Sequence, residues 1–275
     1  MNHHAMGGLF AAALACVGVG CGGQPLDEVG VSNDAITHGQ LDGNKHPGVV
    51  LLLMEVNGAP AFRCSASLLS PTVVLTAGHC AGEPGEFSGM RVFTESDVEN
   101  GDNNYPFAGP NSVEAVEWHA HPQFTEDAFF LHDVGVVILQ EPGVQLDPSA
   151  YVKLPGTNQL DALQPKSSTT FTAVGYGVQR INTVKLEAER IRMFANPHLV
   201  QINTGFTGNF SLLLSNNASS GGTCFGDSGG PNFLGTSLVV GGVTSFGLNG
   251  SCGGTGGVFR LDRADVLAFV KSFTN

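Results

Sequence analysis

Short apolar runs separated by turn residues recur along most of this chain. They extend from His46-Pro47 to Met54, Ala66 to Leu69, Val73 to Leu75, Val134 to Leu139, Thr169 to Val174, Ser211 to Leu214, Leu238 to Val243 and Val258 to Leu261. This spacing predicts strands and, taken together, an all-β barrel protein. The stretch from Glu141 to Pro165 is rich in proline and polar residues and is expected to link two barrels. Only the last segment changes period. From Asp262 through Val266, Leu267, Phe269 and Val270 to Phe273 the apolar positions have helical spacing, with Asp262 expected as the cap. No repeat or low-complexity block interrupts the pattern.

The N-terminal end follows a different logic. Residues 7–20 form an apolar stretch too short to span a bilayer comfortably but suited to a secretory signal, with Ala13-Leu14-Ala15 as a cleavage site. Ala13-Leu14-Ala15-Cys16 and Gly18-Val19-Gly20-Cys21 also look like imperfect bacterial lipoprotein boxes. Residues 1–21 are therefore expected to be a signal peptide or a lipoprotein signal. The mature protein would be secreted or extracytoplasmic, touching a membrane only through a lipid on Cys16 or Cys21. Residues 22–35 are small, polar and aperiodic, and read as a propeptide or linker.

Composition narrows the function classes. Among 275 residues, 38 are glycine and only 13% are charged, which suits a loop-rich β protein with a large core. A net charge of −12 without a basic run argues against a nucleic-acid partner. Four cysteines follow the leader, Cys64, Cys80, Cys224 and Cys252, and allow three connectivities. With no C-x-x-C pair and an exported context, disulfides are expected rather than a metal site. His119-Ala120-His121 with Glu126 resembles part of a cupin metal site, but Pro122 and the lack of a second matching block count against it. Neither a metal nor a cofactor is expected. Asn209, Asn217 and Asn249 begin short glycosylation sequons that matter only in a eukaryotic secretory route.

The candidate chemistry centres on Cys224-Phe225-Gly226-Asp227-Ser228-Gly229-Gly230-Pro231, where small residues leave a serine uncovered. A serine nucleophile needs a base within hydrogen-bond reach and a third group to orient that base. The histidines stand at positions 3, 4, 38, 46, 79, 119, 121, 132 and 198, all before Ser228. Gly226-Asp227-Ser228-Gly229-Gly230 also fits the nucleophile-elbow pattern G-x-S-x-G, whose fold puts its histidine after the serine, so chain order excludes it. An order with the acid first would need Asp42, in a glycine-rich turn. The remaining order is histidine, aspartate, serine. His79 follows the run Thr72 to Leu75 in a small-residue turn, which gives it a rigid mount. Asp133 opens the apolar run Val134 to Leu139 and, buried there, needs a hydrogen-bond partner such as an imidazole N–H. Asp127 competes for the role but lacks the following strand.

Thr76-Ala77-Gly78-His79-Cys80, His132-Asp133-Val134-Gly135-Val136 and Gly226-Asp227-Ser228-Gly229-Gly230-Pro231 resemble the three signature blocks of trypsin/chymotrypsin-like serine proteases. Cys64 to Ser70 is similar to the strand before the histidine block, Thr244-Ser245-Phe246-Gly247 to the strand that pairs with substrate, and Gly175-Tyr176-Gly177 to a Gly-Trp-Gly motif. The resemblance implies two packed antiparallel six-stranded β-barrels with a C-terminal helix: barrels over about 36–145 and 160–261, and a helix over about 263–273. It implies catalysis by His79, Asp133 and Ser228, with Gly226 and Ser228 N–H groups as the oxyanion hole. It also implies disulfides Cys64–Cys80 and Cys224–Cys252. A cut between Ala35 and Ile36 by an activating protease would send the new amino group to Asp227, although Ala35, Thr37 and His38 depart from the usual activation pattern.

By the same resemblance Gly222, Thr223, Ser245, Phe246, Gly247 and Gly257 line the substrate site. Gly222 stands where trypsin-like enzymes carry a carboxylate, so protein or peptide substrates are expected to be cut after large apolar or aromatic residues rather than after Arg or Lys. An elastase-like preference for smaller residues is the runner-up. The rival from another class is a secreted, catalytically silent binding protein on the same scaffold.

Overall fold

The computed structural model describes residues 39–181 and 186–274. The expected leader with Cys16 and Cys21, the expected 22–35 propeptide or linker and the expected activation residue Ile36 lie outside the described residues.

Two closed antiparallel barrels of six strands each make up the fold. Around the first, Val49–Val56, Ala59–Leu68, Val73–Thr76, Gly135–Leu139, Ser112–Ala120 and Gly89–Phe93 pair in that order, and the last returns to the first. Around the second, the order is Lys166–Gly175, His198–Ile202, Ser211–Asn216, Gly254–Arg260, Val240–Gly247 and Pro231–Leu234, closed by pairing of the last with the first. Closure removes the exposed edges of both sheets. Gln40–Leu41 and Met193–Ala195 extend the second sheet beyond its ring.

The strand Val49–Val56 shows why the two barrels stay together. Its residues from Val49 to Met54 are all buried, so both of its faces are covered. One apolar cluster runs from these residues through Leu75 and Val137 to Phe233, Val243 and Phe259 of the second barrel, and on to Val266 and Val270 of the C-terminal helix Ala264–Lys271. A continuous apolar run therefore marks the seam between barrels.

Asp262 does not cap the helix. Arg263 stands at the cap position without a side-chain cap bond, while Asp262 is fully buried and binds Arg260 through Nε at 3.0 Å and Nη2 at 2.9 Å. A guanidinium with no solvent contact needs that counter-charge more than the helix needs a cap. The helix lies against the first barrel, where Phe273 stacks on His119 and Phe269 meets His121 edge-on. His121 itself stacks on His132. These aromatic contacts account for the His119-Ala120-His121 pattern.

Candidate active site

The three motif blocks meet where the barrels face each other. The strand Val73–Thr76 ends in the short helix Gly78–Ala81, which carries His79. Glycine is required on both sides of this junction. A Cβ on Gly78 would lie 2.8 Å from Phe124, and one on Gly135 would lie 2.7 Å from Ala77 O. This close approach brings the helix onto Asp133. There a three-residue turn, with Val134 N–H donating to His132 O at 2.7 Å, points the carboxylate inward.

Asp133 has no solvent exposure, while the His79 side chain is 25% exposed. The carboxylate receives three donors. His79 N–H donates to Oδ1 at 3.0 Å, His79 Nδ1 lies 3.0 Å from each carboxylate oxygen, and Ser245 Oγ donates to Oδ2 at 2.5 Å. Burial pulls the His79 pKa down, and the charge and hydrogen bond of Asp133, with Glu126 and Glu86 further off, more than offset it. The net position lies above the ordinary histidine value. Asp127 sits in the 3₁₀ turn Glu126–Ala128.

Ser228 sits on a loop that folds back on itself. Gly226 and Gly229 have φ of +93° and +76°, which side-chain-bearing residues rarely adopt. Gly229 also presses against the strand that leads to His79, since its Cβ would lie 2.0 Å from Thr76 Oγ1. Asp227 N–H donates to Cys224 O, Gly229 N–H to Thr244 O and Gly230 N–H to Asp227 O. Among the described residues, the N–H groups of Gly226 and Ser228 make no such bond, and neither does Ser228 Oγ. The loop thus carries two uncommitted donors beside a half-buried hydroxyl.

The family model described as Trypsin matches residues 40–264. This chain belongs to the trypsin family. Among its relatives, the serine protease Hayan of Drosophila melanogaster is 24% identical over 85% of the chain, and the chain spans 38% of that protein's length. Trypsin iota of the same fly is 26% identical over 67% of the chain and 68% of its own length. In solved structures, the HL collagenase overlays with a TM-score of 0.66 at 20% identity, covering 86% of this chain and 98% of that one. A scabies mite inactivated protease paralogue reaches 0.64 at 17% identity, covering 87% and 97%. At such identities the overlays speak for the fold.

Two trypsin-family features gain a physical explanation here. The disulfides Cys64–Cys80 and Cys224–Cys252 are both formed, one beside His79 and the other on the Ser228 loop. Gly175-Tyr176-Gly177 wraps the fully buried Asp227. A Cβ on Gly175 would fall 2.3 Å from Asp227 Oδ1, and one on Gly177 2.4 Å from its Cγ. Tyr176 anchors the motif through its hydroxyl, which donates to Glu95 O at 2.8 Å. Burial raises the Asp227 pKa to about 7, although Cys224 N–H, Gly177 N–H and the more distant Arg63 oppose the shift.

The residues expected to line the substrate site have identifiable neighbours. Ser245, expected to bind substrate, spends its hydroxyl on Asp133. The ring of Phe246 covers the Cβ position of Gly257 at 2.3 Å and packs edge-on against the exposed Phe129. The Cβ position of Gly247 is almost open, with Asn249 O at 3.6 Å, and that of Gly222 is filled by Asn216. Motif reading missed Ser65. It is fully buried, donates from Oγ to Gly226 O at 2.9 Å, accepts from Tyr176 N–H at 2.9 Å, and donates from its backbone N–H to Ser228 O at 2.8 Å.

Proposed function

We propose that this trypsin-family chain is a secreted serine endopeptidase that hydrolyses peptide bonds through an acyl-enzyme. The observation that carries this reading is the buried Asp133 carboxylate bound to His79 beside a loop whose serine and two N–H groups are uncommitted. Ser228 Oγ attacks the substrate carbonyl carbon while His79 Nε2 takes its proton. Gly226 and Ser228 N–H groups hold the oxyanion, a contribution worth about 3–4 kcal/mol per donor. His79 then gives the proton to the amine as the C–N bond breaks. Water returns a proton to His79 as it attacks the acyl group, and Ser228 recovers that proton when the acid leaves. In free enzymes such catalytic hydrogen bonds are often long and tighten with substrate, in keeping with the unbonded Ser228 hydroxyl.

The absence of a carboxylate at Gly222 supports cleavage after large apolar or aromatic residues, since a buried Arg or Lys would lack a counter-charge. Asp227, whose pKa burial raises to about 7, is the proposed receiver of the Ile36 amino group after cleavage by an activating protease. A cation there would pull the carboxyl back to its charged form.

The deciding test is reaction of the mature protein with a serine-directed phosphonate across pH. Neutral His79 is the active form and its pKa lies above the ordinary histidine value, so labelling should fall about tenfold per unit as pH drops below that raised value. A wild-type protein that takes up no phosphonate at any pH would support the silent binding role, for which the mite paralogue is a fold precedent.

Ser65 is proposed as a positioning residue, because its hydroxyl fixes the Gly226–Asp227 peptide and its N–H fixes Ser228. Ser65→Ala leaves Tyr176 N–H and Gly226 O without their partner, at a cost of about 1–3 kcal/mol each. If the strain is felt in the oxyanion hole, kcat falls about 10- to 100-fold with KM nearly unchanged. A merely structural role would lower the melting temperature and leave both constants alone.

A further inference from the structure

A cavity of about 390 Å³ borders the short helix that carries His79, with Gly82, Glu83, Trp118, His121 and Phe124 in its walls. Small-molecule sites usually measure about 300 Å³ or more, so this one has the size of a ligand site. Its walls touch both members of the histidine–aspartate pair. Gly82 is the C-cap of the helix Gly78–Ala81, and Phe124 presses on the same helix, since a Cβ on Gly78 would lie 2.8 Å from its ring. His121 stacks on His132, the residue before Asp133, with ring centroids 4.8 Å apart.

The walls are aromatic where they are apolar and acidic where they are charged. Among the described residues no lysine or arginine lines the cavity. Glu83 is exposed, and its carboxylate makes no hydrogen bond or ion pair among the described residues. Glu86 places a second carboxylate alongside, where its Oε2 accepts from Glu83 N–H at 2.9 Å and lies 2.7 Å from the Cβ position of Gly82. His121 is 7% exposed and accepts from Gln123 N–H on Nδ1 at 3.2 Å. Burial, with His132 beside it, holds the His121 pKa below the ordinary histidine value despite Asp265. The ring is therefore neutral at pH 7 and adds no positive charge to the cavity wall.

We propose that this cavity is a regulatory binding site for a small organic cation, an ammonium or guanidinium carried on an apolar body. The charge lies against Glu83 and the body packs on Trp118 and Phe124, where aromatic rings both cover methylenes and attract a cation. With a net charge of −12, the field of the whole protein draws such a ligand in. Occupancy reaches the catalytic pair through charge. Against burial, which lowers it, the His79 pKa is raised by Asp133 and, further off, by Glu126 and Glu86. A cation beside Glu83 and Glu86 offsets part of that negative field, so His79 stays a neutral base in more acidic solution.

Trp118 is the chain's single tryptophan, so its fluorescence reports occupancy directly. Titration of the mature protein with phenethylammonium should change that emission with a Kd of about 0.1–1 mM. Phenethyl alcohol, the same body without the charge, should bind about tenfold more weakly. Glu83→Gln leaves the fold's hydrogen bonds in place and should weaken phenethylammonium by about tenfold while leaving the alcohol unchanged. Equal affinities for amine and alcohol, or a Glu83→Gln variant that binds the amine as wild type does, would overturn the cation site. Nuclear magnetic resonance of the His79 ring reads the coupling. Saturating amine should weaken proton binding at His79 about two- to threefold in the wild type and leave it unchanged in Glu83→Gln. A bound amine that leaves the wild-type titration in place would overturn the regulatory role, and an equal shift in Glu83→Gln would put the amine in the catalytic cleft and overturn it too. No step requires turnover, so these outcomes are independent of the endopeptidase reading.

Discussion

Ser228→Ala is expected to lower kcat by about six orders of magnitude while leaving KM within a few fold of wild type. The split follows from which atoms change. The substitution removes only Oγ, which makes no hydrogen bond among the described residues, so the folded loop loses no internal contact. The turn through Asp227 is held by backbone bonds to Cys224, Thr244 and Ser65, and Gly226 and Gly229 keep their left-handed conformations. The N–H groups of Gly226 and Ser228 survive, so substrate still binds and the oxyanion is still stabilised. A residual acceleration of about 10³ to 10⁴ over water should therefore remain. His79→Ala should cost nearly as much, and the two together little more, because each removes the same proton transfer. Steady-state kinetics on one peptide with the single and double variants checks this. Losses that multiply would mean that Ser228 and His79 do not act as a unit.

What could be read from the sequence and what could not divides along distance in the chain. His79, Asp133 and Ser228 are each flanked by residues that set their local geometry, the glycines and small side chains before His79 and around Ser228 and the apolar strand after Asp133. Short motifs therefore expose them. Ser245 binds Asp133 across 112 residues, and no local signal marks a hydroxyl whose partner is so remote. The same holds for Ser65, whose neighbours in sequence read only as strand. Four barrel strands also escaped the apolar pattern, for identifiable reasons. Gly89–Phe93 is short and carries Arg91, Ser112–Ala120 holds two glutamates and a largely uncovered face, His198–Ile202 mixes polar and apolar positions, and Pro231–Leu234 opens with a proline. Pairing on both sides in a closed ring stabilises strands whose own propensity is weak.

Asp133→Asn is the substitution in which electrostatics and hydrogen-bond geometry give opposite expectations, so it separates them. Three donors converge on this carboxylate: His79 N–H, His79 Nδ1–H and the Ser245 hydroxyl. A carboxylate accepts from all three, but an asparagine of the same shape offers one oxygen and one NH₂ group. With the oxygen toward the His79 backbone N–H and the NH₂ toward the ring, Nδ1 must become an acceptor, and the proton moves to Nε2. The imidazole then cannot take the Ser228 proton, and kcat should fall about 10⁴-fold, equivalent to ~5.5 kcal/mol of barrier. Loss of the negative charge acts in the other direction on titration. Asp133 is the chief group raising the His79 pKa against burial, so its neutralisation lowers that pKa and leaves the ring neutral to lower pH. If protonation state alone governed activity, the variant would match wild type at neutral pH and surpass it in acid. The tautomer argument instead demands a loss at every pH, with the midpoint of the residual profile shifted downward. Nitrogen chemical shifts of the His79 ring should report a protonated Nε2 in the variant and a protonated Nδ1 in the wild type. A variant that keeps kcat within tenfold of wild type would remove Asp133 from its proposed role.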